Sequence, residues 1–256
     1  MIIRAAQIKV FEDAAFEDFV AELCLHCKEY SPDLINILSD EQLDAAVRKG
    51  IDRAKVYGFT NRGPIRFFIE MMIAFGSGFD SDPQYPWAAE TLAKHEETEQ
   101  MALSEKLYEA AIPSFEKVFG EDALHSNNAL RAMMNKMKTG LNFKRENFKE
   151  EMLRLLKEIY PIKCKEVGDD NLRKLIRDGI ARGTERYNFR NARSMALMIL
   201  MKFGLGHNFD TDPFHPWISS TLKREFQNSP DELAEELEKR ALPWFDAVLK
   251  KSEESV

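Results

Sequence analysis

The feature that most constrains this chain is that it contains one unit twice. Phe79-Asp80-Ser81-Asp82-Pro83-Gln84-Tyr85-Pro86-Trp87 returns as Phe209-Asp210-Thr211-Asp212-Pro213-Phe214-His215-Pro216-Trp217, and Thr91-Leu92 returns as Thr221-Leu222 at the same spacing. Upstream, Phe75-Gly76-Ser77-Gly78 answers Phe203-Gly204-Leu205-Gly206, which makes His207 and Asn208 an insertion in the second copy. Gly50-Ile51-Asp52-Arg53 answers Gly179-Ile180-Ala181-Arg182, and Ala111-Ile112-Pro113-Ser114-Phe115 answers Ala241-Leu242-Pro243-Trp244-Phe245. Blocks matched in one order mean a duplicated unit, so whatever one copy folds into, the other must accommodate. The expected organisation is residues 1–122 as the first unit and 123–256 as the second.

Each copy reads as the same train of helices. Phe16, Phe19, Leu23 and Cys27 recur at helical spacing before Ser31-Pro32, as Phe148, Met152, Leu155 and Ile159 do before Pro161. Ser39-Asp40-Glu41-Gln42 and Ser229-Pro230-Asp231-Glu232 are capping boxes that open further helices. The stretches Ile65–Phe75 and Met195–Met201 are apolar almost all round, which places them at the centre of each unit. Pro113 and Pro243 should kink the last helix of each copy. The join, residues 120–149, should release the second copy's first helix near Leu130. Strand periodicity is absent. The expected fold is all-α: two tandem homologous helical-bundle units packed as a pseudo-symmetric pair.

Charge narrows the partners. The net charge is −7, but residues 1–122 hold 12 Lys+Arg against 23 Asp+Glu, and the remainder holds 24 against 20. An acidic first half and a mildly basic second half suggest mutual attraction or separate protein partners, and argue against nucleic acid, which needs a basic face. No run approaches the ~20 apolar residues of a membrane span. The opening residues reach Glu12 and Asp13 without the apolar stretch of a secretory signal, and three cysteines are too few for a disulfide framework. The expected compartment is the cytoplasm.

The repeated Asp-x-Asp-Pro carries the clearest candidate chemistry. Asp80 with Asp82, and Asp210 with Asp212, could offer hard oxygen ligands to a divalent cation, joined in the second copy by His207 and His215. That would be a metal-dependent helical enzyme. The competing reading is structural. Aspartate before proline caps a helix start, and the preceding aspartate holds the glycine-rich turn. The Phe79/Phe209, Pro83/Pro213 and Trp87/Trp217 pairs then complete a folding motif in which each tryptophan pins a short helix on the core. The structural reading is favoured, with no cofactor, because the later glutamate of a calcium loop is missing.

Other candidates are weaker. Cys24-Leu25-His26-Cys27 has redox or zinc spacing, yet it sits in an amphipathic helix and has no counterpart in the second copy. Gly76-Ser77-Gly78 follows a helix, not the strand that a nucleophile turn requires. Met133, Met134 and Met137 suit either an adaptable partner groove or a core. The acidic helix face at Asp40, Glu41 and Asp44 is the candidate partner surface.

Taken together, Tyr57-Gly58-Phe59-Thr60, Phe75-Gly76 and Phe79 to Trp87 resemble small helical proteins of bacteria found in the gene neighbourhoods of type VI secretion effectors. The resemblance covers most of each unit and supplies no catalytic residues. It implies an accessory role, such as adaptor, chaperone or immunity protein; the expected function is a non-enzymatic protein-binding module whose partner is a secreted effector.

Overall fold

The computed structural model describes residues 5–143, 145–223 and 229–254. Among these residues the chain is all-α, with no strand. The first copy runs α1 (Ala5–Tyr30), α2 (Pro32–Ile35), α3 (Asp40–Lys55), α4 (Arg62–Phe75), α5 (Pro86–Leu92) and α6 (Gln100–Pro113). After α7 (Leu124–Thr139), the second copy repeats the order as α8 (Phe148–Ile159), α9 (Pro161–Val167), α10 (Asp169–Tyr187), α11 (Ala192–Leu205), α12 (Pro216–Leu222) and α13 (Pro230–Glu254). A 3-10 turn precedes each short helix, at Phe79–Ser81 and Phe209–Thr211.

Local chemistry sets these boundaries. Ser39 and Gln42 exchange their capping bonds at the start of α3, and Ser229 and Glu232 do the same before α13. Pro32, Pro86, Pro161 and Pro216 each begin a short helix, where the missing N–H is no loss. At Pro113 the α-helix gives way to a π-helical turn, Ser114–Phe119. At Pro243 α13 continues as one helix, with Ala241 and Phe245 buried on either side of the proline.

The join differs from expectation. The helix there starts at Leu124, not near Leu130, just after Asp122 and Ala123 take left-handed conformations. Its methionines Met133, Met134 and Met137 are buried in the second apolar core, which removes them as a partner groove.

Two apolar clusters organise the molecule. One runs from Phe19 to Ala111 and the other from Val118 to Leu249. Phe214 breaks the division: it comes from the second copy and is buried in the first cluster. Helices cross the division too, with α2 packing on α13 and α9 packing on the Ser114–Phe119 turn. Within each copy the central pair is tight. A Cβ at Gly50 would meet Ile69 Cγ1 at 2.8 Å, and one at Gly179 would meet Ile199 Cγ1 at 2.7 Å, which accounts for the matched Gly-Ile blocks.

Candidate functional site

The glycines that end the central helices bring the repeated loops together. Gly76 (φ +90°) and Gly206 (φ +94°) both take a backbone conformation that side chains rarely adopt. A Cβ on Gly76 would lie 2.5 Å from the Leu205 carbonyl oxygen, and one on Gly206 would lie 2.8 Å from that of Phe75. The two helix ends therefore abut backbone to backbone. Gly76 pairs with Gly206, Ser77 with His207 and Gly78 with Asn208, so His207 and Asn208 are not an insertion. The copies instead shift by one residue further upstream: Arg53 and Arg182 are 129 apart, Tyr57 and Tyr187 are 130 apart.

Each loop then reaches into the other copy. The Asp82 carboxylate accepts from the Gln84 amide (2.9 Å), from Gln84 Nε2 (3.0 Å) and, across the junction, from the His207 amide (2.7 Å). Asp212 answers it, accepting from the Phe214 amide (2.8 Å) and from the Ser77 amide of the first copy (2.8 Å). Gln84 Nε2 also donates to the Lys202 carbonyl at 3.2 Å. Asp82 and Asp212 are each 2% exposed, and burial pushes the Asp82 carboxyl above its ordinary range despite these bonds.

Neither aspartate caps a helix. The Tyr85 amide donates to the Asp82 carbonyl at 2.9 Å, which makes Asp82-Pro83-Gln84-Tyr85 a β-turn with proline at its second position. Helix α5 starts only at Pro86, and its preceding residue Tyr85 makes no side-chain cap. The expected helix-capping role is corrected accordingly: the carboxylates satisfy loop amides of both copies.

The first aspartate of each motif does not hold its own glycine-rich turn either. Asp80 takes an ion pair from Arg53 and a 2.8 Å hydrogen bond from Tyr57. Asp210 receives Arg182 Nε and Nη2, both at 2.8 Å, and Tyr187 at 2.6 Å. An Arg fork supplies charge and donors together, which backbone amides in a short turn cannot match. The signal was in the sequence, since Arg53/Arg182 and Tyr57/Tyr187 recur in both copies, but spacing alone does not link them to the aspartates.

The metal constellation is not assembled. Every one of these carboxylates faces arginine, tyrosine or amide donors, and no three His, Cys, Asp or Glu side chains among the described residues stand where they could hold an ion. The histidines are not solvated loop residues. His207 Nδ1 lies 3.3 Å from Lys202 Nζ, and His215 is 6% exposed, 5.1 Å edge-on to Trp244. Burial pushes both below the usual histidine range. Phe79 and Phe209 are fully buried, Pro83 is buried and Pro213 half-buried. Trp87 and Trp217 are half-buried against their own cores.

The remaining candidates fall into place. Cys27 is buried and its thiol is pushed up to about 12, while His26 meets Glu70 at 2.6 Å. Asp40 pairs with Lys28 (2.7 Å), Glu41 accepts from the Ser39 hydroxyl (2.8 Å), and Asp44 shares Arg48 with Glu17. Asp40 and Glu41 are exposed, Asp44 is half-buried, and each serves a local bond.

One site escaped the comparison of copies because it is not repeated. Where the first copy has Leu34 after the Pro32 of its short helix, the second has Lys163 after Pro161. Lys163 is 5% exposed and lines a cavity of about 240 Å³ between the copies, together with His215, Tyr85 and Tyr160. No family model matches this chain, and no curated protein or solved structure matches it significantly.

Proposed function

We propose that the chain is a non-enzymatic protein-binding module whose two copies pack as a pseudo-symmetric pair, much as two subunits of a homodimer would. An adaptor, chaperone or immunity partner of a bacterial secreted effector is its concrete form. The repeated residues are engaged in bonds within and between the copies. Partner choice then falls to surface that the copies do not share.

The observation that carries the reading is the first part of α1. Residues 7–15 are all exposed, and Ile8, Val10 and Phe11 stand among them at 46, 65 and 69% exposure. The first fully packed side chain of the helix is Phe19. An apolar group of this size on an exposed helix, beside Glu12 and Asp13, suits a hydrophobic groove with a basic rim. The exposed acids of α3, Asp40 and Glu41, already have partners within the chain and would add long-range attraction more than contact energy.

The test is capture from the native cells with tagged protein at low and high salt, using wild type and a Val10→Asp/Phe11→Asp variant. The reading expects one dominant protein, weakened by salt and lost by the variant, with the melting temperature unchanged. Equal capture by both forms would refute it.

A further inference from the structure

The molecule buries a lysine that makes no ion pair among the described residues. Lys163, on α9, makes one hydrogen bond among the described residues, donating to the Phe203 carbonyl at 2.8 Å near the end of α11. Among the described residues no carboxylate lies within ion-pair distance of it, although Asp82 is near enough to favour its charged form. Three aromatic rings lie around it: Phe203 at 4.7 Å, Tyr85 at 5.5 Å and Tyr160 at 6.0 Å from Nζ. An ammonium has three N–H donors, and burying one without an anion is among the costlier things a core can hold. The Phe203 carbonyl occupies only one of those three donors.

A second polar group lines the same space without a partner. His215 Nδ1 is buried and unbonded, and the ring is 6% exposed. Much of the lining is apolar and comes from both copies, including Phe75, Met133 and Trp244. Half-buried Ser126, Asn127 and Val248 also border the cavity, where α7 meets α13. Asn127 Nδ2 donates to Ser252 Oγ at 2.8 Å, and Arg131 pairs with Glu253, so one polar latch joins these helices beside it.

We propose that this cavity is a binding site for a small carboxylic acid with an apolar body, its carboxylate held by Lys163 Nζ and a second polar contact made by His215. The volume suits a ring or branched chain on the order of ten non-hydrogen atoms, below the usual drug-sized pocket. A carboxylate supplies a directly contacting counter-charge and accepts the lysine's free N–H groups, while the aromatic lining takes the apolar part. Burial of Lys163 brings its ordinary value down to about 8, so it remains mainly charged at neutral pH. A ligand seated here touches both copies and would stabilise their junction.

The test is calorimetric titration of the full chain with phenylacetate and its neutral counterpart phenylacetamide. Wild type should bind phenylacetate at least tenfold more tightly. Lys163→Met, which keeps the side chain's length without its charge, should erase that preference. Ala74→Leu, which fills the cavity from α4, should abolish binding of both. Circular dichroism checks that each variant is folded. Absence of phenylacetate binding by wild type, equal affinity for acid and amide, or a preference that survives in folded Lys163→Met would each overturn the proposal.

Discussion

Replacing Asp82 by alanine should destabilise the whole protein, not just a loop. The carboxylate accepts from the Gln84 and His207 backbone amides and from Gln84 Nε2, in a site 2% exposed. Gln84 Nε2 keeps the Lys202 carbonyl as a partner, but the two amides have no other acceptor among the described residues. A buried donor left unpaired costs about 1–3 kcal/mol, so two cost about 2–6 kcal/mol. Removing a carboxylate whose ionised form burial disfavours returns part of this. The expected net loss is about 3 kcal/mol, against a total of roughly 5–15 kcal/mol for a typical protein. At roughly 2–4 °C per kcal/mol for chains near this size, melting should fall by about 6–12 °C.

Asp212→Ala should match it, since that carboxylate also satisfies two amides, one of them Ser77 in the other copy. Both bonds cross the same junction, so the double variant should depart from additivity. Asp52→Ala, an exposed residue bridged to Lys55, provides the control and should stay within about 0.5 kcal/mol. Urea melts followed by circular dichroism measure all four. Losses below about 1 kcal/mol for both Asp82→Ala and Asp212→Ala would refute the reasoning.

The junction glycines give a second prediction: Gly76→Ala should cost clearly more than Gly58→Ala. Both have positive φ, worth about 1–2 kcal/mol of strain, but only at Gly76 would the new methyl strike backbone, at 2.5 Å, while nothing lies within 4 Å at Gly58. Comparable urea midpoints would contradict it. Stability should also fall as pH drops from about 7 to 5. His215 has a folded value pushed below its usual 6.5, so in this window the unfolded chain takes up a proton that the folded one resists. The slope approaches about 1.4 kcal/mol per pH unit for one such group. His215→Leu should reduce it, with the similarly lowered His207 adding to the slope and the raised Asp82 carboxyl opposing it, and an unchanged slope would count against a buried neutral histidine. In native buffer at pH 8, Cys27 and Cys164 should react with a thiol reagent only on unfolding, because both are buried and their thiols are pushed up, to about 12 and about 11. Rapid labelling of all three cysteines would contradict the packing of α1 and α9.

Much of the fold was legible because it rests on local rules. Ser39–Gln42 and Ser229–Glu232 are short-range signals, and the apolar runs that became α4 and α11 need no partner to be recognised. The loops were misread because their partners are remote. Asp82 bonds a residue 125 positions away and Asp212 one 135 away, so the motif resembles a helix cap or a metal loop until the other copy is in place. The same distance hid the register: Phe-Gly recurs at Phe203-Gly204, yet the backbone matches Gly76 to Gly206, because the positive-φ glycine that ends the helix fixes the alignment. Lys163 stayed invisible for a different reason. Comparing copies finds what they share, and the first copy has leucine there.

The claim at the centre of this account is that the repeated loops clasp one another across the two copies. Amide hydrogen exchange at Ser77 and His207 tests it most directly, because loop amides ordinarily exchange fast and these two donate to buried carboxylates of the opposite copy. The account predicts that both exchange as slowly as the cores of α4 and α11, through global unfolding, and that Asp212→Ala releases Ser77 while Asp82→Ala releases His207. Fast exchange of both amides in the wild-type protein would contradict it.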